Sequence, residues 1–322
     1  VGYEDIQAAA GRLEGVAVRT PLIRNHALDE TANGRVLIKP ECLQVTGSFK
    51  IRGAYNFLSQ LSTDEARRGV VAFSSGNHAQ GVAAAGAMLD IRTAIVMPED
   101  APRAKLDNTK RLGGEVITYD RYTGDREAIA RDLAAERGAV VVPSYDHDYN
   151  NAGQGTVGFE IAAQCHEQGV LPDSVLVCCG GGGLVSGSAI ALKHHFPDLN
   201  VHSVEPETFD DTARSLQSGK RERVADNAES ICDALQAHTP GKLTFDIMKA
   251  LLAPGLSVSD DEVREAMRFA FRNLKMVIEP GGAVALAAVL AGKIDTRAKT
   301  TVVVVSGGNV DVDLYAEIQR SG

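Results

Sequence analysis

The chain reads as an α/β protein built from two open, twisted, mostly parallel sheets, each flanked by helices. Two observations predict this. Short, all-apolar strands such as Val70-Val71-Ala72-Phe73 and Thr301-Val302-Val303-Val304-Val305 recur along the chain, and such strands belong to sheets covered on both faces. Between them lie stretches of about 10–15 residues with helical periodicity, the length a parallel crossover needs. A doubly wound sheet places its ligand where strand C-termini face one another.

Taken in order, residues 3–14 put Ile6, Ala9, Ala10 and Leu13 on one side of a helix. Thr20-Pro21-Leu22 breaks any helix, and Val36-Leu37-Ile38 is a short strand before Pro40. A helix starting near Ser48 buries Ile51, Ala54 and Leu58 and holds Lys50 in its first turn. Regular alternation follows: strand 70–73, helix 76–89, strand 93–97, helix 103–112, strand 116–118, helix 126–137 and strand 139–142. The second half continues with helix 153–167, strand 174–179, helix 184–195 and strand 201–204. Residues 207–254 read as irregular and polar. Helices over 260–274 and 283–290 lead to the last strand, 301–305. No repeat, low-complexity tract or linker stands out.

At 322 residues the chain has ample length for a core in two domains or one large one. A net charge of −9 argues against nucleic acid or an anionic membrane surface as partner. No apolar run approaches the roughly 20 residues of a membrane span. Val1-Gly2-Tyr3-Glu4-Asp5 has no basic region followed by an apolar stretch, so no signal peptide is expected. The five cysteines, Cys42, Cys165, Cys178, Cys179 and Cys232, lack paired metal spacing and suit a reducing cytoplasm. Adjacent Cys178 and Cys179 should point to opposite sides of a strand as small core residues.

Five stretches carry chemistry. In Ser48-Phe49-Lys50-Ile51-Arg52-Gly53-Ala54 the lysine sits at a helix start, where the dipole opposes an ammonium. A partly desolvated amine there has a lowered pKa, as a Schiff-base lysine requires. Ser74-Ser75-Gly76-Asn77-His78 follows a strand and offers backbone N–H groups to a carboxylate. Gly180-Gly181-Gly182-Gly183, between a strand and the helix beginning at Leu184, is a cradle for a dianion such as phosphate. It fits neither the nucleotide P-loop nor the dinucleotide fingerprint. Ser306-Gly307-Gly308-Asn309 puts one hydroxyl after the final strand, though alone it reads as a turn. Glu205-Pro206-Glu207-Thr208-Phe209-Asp210-Asp211 spaces oxygen ligands for a hard cation such as Mg²⁺ or Ca²⁺, and a solvated acidic loop explains that spacing equally well.

A Schiff-base lysine, a carboxylate loop, a phosphate cradle and a terminal serine point together to pyridoxal 5'-phosphate. On Ser-Phe-Lys-Ile-Arg-Gly-Ala and Ser-Ser-Gly-Asn-His, the chain resembles the serine racemase/threonine dehydratase family of fold-type II pyridoxal-phosphate enzymes, which includes 3-hydroxyaspartate dehydratases. The resemblance covers nearly all residues. It implies a tryptophan synthase β-like fold, with a large cofactor domain over 1–68 and 147–322 and a small substrate domain over 69–146.

Residue by residue, it implies that Lys50 forms the internal aldimine and Phe49 packs on the ring. Asn77 would bond the ring hydroxyl, Ser306 would face the ring nitrogen, and Gly180, Gly181, Gly182, Gly183 and Leu184 would hold the phosphate. Ser74, Ser75, Gly76, Asn77 and His78 would receive the substrate carboxylate. Glu205, Asp211 and the Phe209 carbonyl would bind Mg²⁺ (or Ca²⁺ or Mn²⁺). Arg126, at a helix start, would lie near the mouth of the site, where a guanidinium could hold a second carboxylate. A solvated arginine is the alternative. Racemases of the family carry serine at position 75, and dedicated threonine dehydratases often carry alanine. The regulatory domain of biosynthetic threonine dehydratases is not expected.

A hydroxyl opposite the ring nitrogen makes the cofactor a weaker electron sink than a carboxylate would, which favours loss of a β-leaving group. The leading expectation is therefore a cytoplasmic, homodimeric dehydratase (ammonia-lyase) of L-serine, L-threonine or 3-hydroxyaspartate. A serine or aspartate racemase with side dehydratase activity is the rival, and a cysteine synthase-type enzyme is a more distant one. A nucleotide-binding oxidoreductase or a noncatalytic binding protein would leave Lys50 unexplained.

Overall fold

In a computed structural model of the chain, residues 1–74, 76–101, 103–120 and 123–321 are described. The first segment holds α1 (Tyr3–Leu13), β1 (Ile23–Arg24), α2 (His26–Ala32), β2 (Arg35–Pro40) and α3 (Lys50–Leu58). Next come α4 (Thr63–Arg68), β3 (Val70–Phe73), α5 (Asn77–Leu89), β4 (Thr93–Pro98), α6 (Arg103–Arg111), β5 (Glu115–Tyr119), α7 (Arg126–Arg137) and β6 (Val140–Val141). The second half runs α8 (Asp148–Glu167), β7 (Ser174–Cys178), α9 (Gly183–His195), β8 (Asn200–Pro206), α10 (Asp211–Ser218), α11 (Lys242–Leu251) and β9 (Leu256–Val258). It ends with α12 (Asp260–Phe269), α13 (Pro280–Leu290), β10 (Thr300–Val305) and α14 (Val312–Arg320).

The strands form two sheets. The larger has the order β1-β2-β10-β7-β8-β9, and the smaller β5-β4-β3-β6. Every pairing is parallel except β1 with β2. Val36, Leu37, Ile38, Val175, Leu176, Val177 and Val302 to Val305 are fully buried, as strands covered on both faces must be. The two-sheet α/β architecture expected from the alternating pattern is the one observed.

The smaller sheet's core also takes in Ile51, Ala54, Phe57 and Leu58 of α3, although α3 precedes that sheet in the chain. Helix α8 runs between α3 and α9. A methyl group on Gly153 would come within 2.5 Å of the Arg52 carbonyl, and one on Gly187 of α9 within 2.3 Å of the Asn151 carbonyl. Bare glycine backbones thus let α3 and α9 both close onto α8. Among the described residues no helix is long and apolar enough to cross a membrane.

Three departures from expectation have physical causes. Residues 207–254 hold two helices. The buried face of α10 is Asp211, Thr212 and Ser215, so it carries no apolar stripe to read. Helix α8 starts at Asp148 rather than near 153, because its first turns bury Asn150 and Asn151, with His147 Nδ1 accepting the Tyr149 N–H at 3.1 Å. Helix α4 buries nothing and rests on its capping box, with Ser62 and Glu65 each accepting the other's backbone N–H.

Candidate active site

Lys50 is the first residue of α3. The segment before it is pinned to the end of β10: the Phe49 N–H donates to the Ser306 carbonyl at 3.1 Å, and Ser48 bridges Gly307. The Lys50 amine donates to the Ser144 carbonyl at 2.9 Å and lies 5.2 Å from the centre of the Phe49 ring. Burial lowers its pKa to about 8, against a smaller opposing pull from Cys178. Desolvation is therefore the largest cause of the shift. His78, on α5, is buried beside it. Burial first, and the Lys50 charge second, push the imidazole down to about 3. It is neutral, and Nε2 donates to the Val142 carbonyl at 3.1 Å, since a carbonyl can only accept.

The glycine loop joins β7 to α9. Gly182 has φ +95°, and a methyl group there would meet Met248 at 2.7 Å and Thr244 at 2.9 Å. A methyl on Gly181 would fall 2.3 Å from the Tyr145 ring. The loop is held from outside as well, the Thr244 hydroxyl donating to the Gly181 carbonyl at 2.6 Å. Buried Leu184 follows in the first turn of α9, whose N-terminus favours an anion.

Ser306 is buried at the end of β10 and shares a hydrogen bond with the Cys178 thiol. Asn77, first in α5, donates from Nδ2 to Glu279 Oε1 at 2.6 Å and accepts from Asn309 Nδ2 at 2.7 Å. Burial raises Glu279 to about 7, with the Asp233 charge adding to it and the Asn77 bond opposing it. The sequence reading missed Glu279. In the sequence it is an acidic residue directly before Pro280-Gly281-Gly282, like an ordinary helix start; in the structure its carboxylate does not cap α13. Ser144 and Tyr145 were missed as well.

Of the carboxylate loop, Ser74 Oγ accepts the Gly76 N–H at 3.2 Å, and open space faces Gly76. Ser75 lies outside the described residues. Arg126 is exposed at the start of α7, its guanidinium carbon 5.9 Å from the centre of the Phe73 ring. Its charge acts on Tyr145, the wall of the glycine loop.

The acidic loop lies across β7. Cys178 faces Ser306, whereas Cys179 Sγ contacts the Thr212 hydroxyl at 3.3 Å. Glu205 is fully buried and accepts the Thr212 and Ala213 N–H groups at 3.0 and 2.8 Å. Burial, then Asp211, pushes it well up, and burial raises Asp211 itself to about 7. Asp211 Oδ2 is buried with no partner among the described residues, and Phe209 is buried beside it. Two carboxyls that burial would protonate, one with an unused oxygen, suit a divalent cation. Among the described residues there is no cluster of three or more His, Cys, Asp or Glu that could hold a metal, so carbonyl oxygens would have to complete the shell.

The family model described as "Pyridoxal-phosphate dependent enzyme" matches residues 13–307. The chain is 45% identical over 318 residues to an L-threo-3-hydroxyaspartate ammonia-lyase from Pseudomonas sp, covering 99% of this chain and 98% of that one. It is 40% identical over 314 residues to a serine racemase from Schizosaccharomyces pombe, covering 98% and 96%. The crystal structure of threonine deaminase from T.th. superposes with a TM-score of 0.91 at 40% identity, covering 97% and 99%.

Proposed function

The chain belongs to the pyridoxal-phosphate dependent enzymes, and from that premise we propose that it is a dehydratase (ammonia-lyase) of a β-hydroxy-α-amino acid. 3-Hydroxyaspartate, L-threonine and L-serine are the candidate substrates, and a 2-oxo acid and ammonia the products. Pyridoxal 5'-phosphate supplies a carbonyl for an amine to join and a ring to draw electrons from Cα. The residues present fit it: a glycine loop with no room for a methyl group at Gly181 or Gly182, an amine, and a hydroxyl at the end of β10. Gly180 to Gly183 with Leu184 would hold the phosphate, Phe49 the ring face, Asn77 the ring hydroxyl and Ser306 the ring nitrogen.

The observation that carries the reading is the Lys50 amine. With its pKa at about 8, part of it is neutral near pH 7 and able to accept a proton from Cα. His78, held neutral with its Nε2–H on the Val142 carbonyl, does not compete for that proton, and the Ser74 to His78 loop would receive the substrate carboxylate. Ser306 presents a hydroxyl rather than a carboxylate, which favours elimination over long-lived carbanion chemistry.

The test is a panel of β-hydroxy amino acids with keto-acid and ammonia detection. Lys50→Ala should lose turnover and the visible absorbance of the bound cofactor yet stay folded; a variant that keeps both points to another lysine. We read 3-hydroxyaspartate as favoured because the family resemblance would put Arg126 near the mouth of the site. Arg126→Ala should cut kcat/KM for the dicarboxylate by roughly 10- to 100-fold and spare serine. An equal loss on both substrates rules this out.

The serine racemase relative favours a second activity, minor racemisation. It needs an acid–base group for each face of Cα, and the Ser75 hydroxyl is the proposed partner of Lys50. Ser75→Ala should abolish D-serine formation, followed by chiral chromatography in D₂O, while keeping dehydration. Unchanged D-serine would sink the two-base assignment.

Two further readings complete the proposal. Glu205, Asp211 and the Phe209 carbonyl hold Mg²⁺, Ca²⁺ or Mn²⁺. The protein works as a homodimer in the cytoplasm.

A further inference from the structure

Lys50 and Arg52 share the first turn of α3, about 200° apart around the helix. The amine reaches the cleft, whereas the guanidinium is fully buried on the other side. There it meets two carboxylates in forked pairs. Nε and Nη2 donate to Glu41 at 2.8 Å each, and Nη1 and Nη2 donate to Glu160 at 2.7 and 2.9 Å. The Thr156 hydroxyl accepts from Nη1 at 3.1 Å and the Val18 carbonyl from Nη2 at 3.2 Å. Lys39 closes the cluster, donating to Glu160 at 2.5 Å, to the Thr20 carbonyl at 2.7 Å and to Gln164 at 3.1 Å.

Two cations and two anions balance, so the cluster exerts little net field on the nearby amine. What two forks fix, and an apolar plug would not, is orientation. Buried ion pairs are poor stabilisers, and orientation is the better reason to keep one. The carboxylates come from different elements, Glu41 from the turn after β2 and Glu160 from α8. Helix α8 in turn packs through Asn151 on Gly187 of α9, which begins at the glycine loop. The span from the Lys50 amine to Gly180–Gly183 is therefore set by where α3 sits along α8.

We propose that Arg52 is a positioning residue that registers α3 against α8, so that the Lys50 amine stands the right distance from the glycine loop. The proposal rests on Lys50 as the amine that joins the cofactor. A displacement of about 1 Å at a reacting atom costs on the order of 100-fold.

The test uses the full chain stripped of cofactor and reloaded with two ligands. Pyridoxal 5'-phosphate joins the Lys50 nitrogen through its aldehyde carbon, with loss of water. Pyridoxine 5'-phosphate has no aldehyde and reports the loop and ring contacts alone. Arg52→Lys keeps the charge and loses both forks. Arg52→Met combined with Glu160→Gln removes one cation and one anion, leaving the cluster neutral.

In either variant pyridoxal 5'-phosphate retention should fall about 10- to 100-fold and its visible absorbance weaken, while pyridoxine 5'-phosphate affinity stays within about threefold. Parental retention and absorbance in both variants would overturn the proposal. So would equal losses for the two ligands, or failure of both variants to fold, since each assigns Arg52 to general stability. Lys50→Ala run alongside separates the two ideas: if it keeps the absorbance, the lysine assignment fails, whatever Arg52 does.

Discussion

Lys50, Glu205, Asp211 and Glu279 are four ionisable side chains that burial pushes toward their neutral forms. For the acidic pair the sign of the consequence is definite. Asp211 is raised from 3.8 to about 7, so between those values the folded chain holds a proton the unfolded chain has released. Stability without a cation therefore falls as pH rises through that window. A divalent cation takes the place of the protons and gains most where they have left. Thermal melts with Mg²⁺ and with chelator should lie close together near the lower end of the window and separate toward pH 7 and above. Asp211→Asn should lessen the pH slope, Glu205 and Glu279 keeping their own share, and remove the cation effect; a variant that still responds to Mg²⁺ as the parent does places the ion elsewhere. At this scale the sequence showed what the motifs spelled out and little else. Lys50 stood out only in the company of the other motifs, and Ser306, a turn on its own, only through the family resemblance. Glu279 was not, because a carboxylate before Pro-Gly-Gly looks like an ordinary helix start. Nor was the Arg52 cluster, since Glu160 lies 108 positions from Arg52 in the chain.

The glycine loop and the helix that follows it work as one element. Gly182 sits at φ +95°, where a side chain is strained whatever the space around it, and a methyl there would also press on Met248 and Thr244. Gly180 has an ordinary φ, and the atom nearest to a methyl there is 3.3 Å away, on Leu235. Gly182→Ala should weaken pyridoxine 5'-phosphate binding by about tenfold or more and lower Tm, since αL strain alone is worth roughly 1–2 kcal/mol. Gly180→Ala should do much less of either. Equilibrium dialysis and melting curves check this, and equal effects at the two positions would argue that backbone conformation does not shape the loop. The strands were readable because both-face burial leaves an unbroken apolar run. Helices α4 and α10 were not, because one buries nothing and the other buries polar groups.

Across the whole molecule the site is assembled from both sheets. Asn77 and His78 come with the smaller sheet, whereas Glu279, Ser306 and the glycine loop come with the larger. Lys105 of α6 pairs with Asp233 across the same divide. The pairing of β2 with β10, and of Phe49 with Ser306 beside it, joins residues more than 250 positions apart. That pairing governs timing. A ribosome adding about 5–20 residues per second needs roughly 10–50 s to travel from Phe49 to Ser306. During that interval β3 to β6 can already pair among themselves, because their contacts are local. The turn carrying Lys50 meanwhile has no β10 to lean on. Cofactor capture is thus a late event in the birth of each molecule. A half-made chain, with its lysine long since out of the exit tunnel, presents an amine that is not yet a trap for an aldehyde.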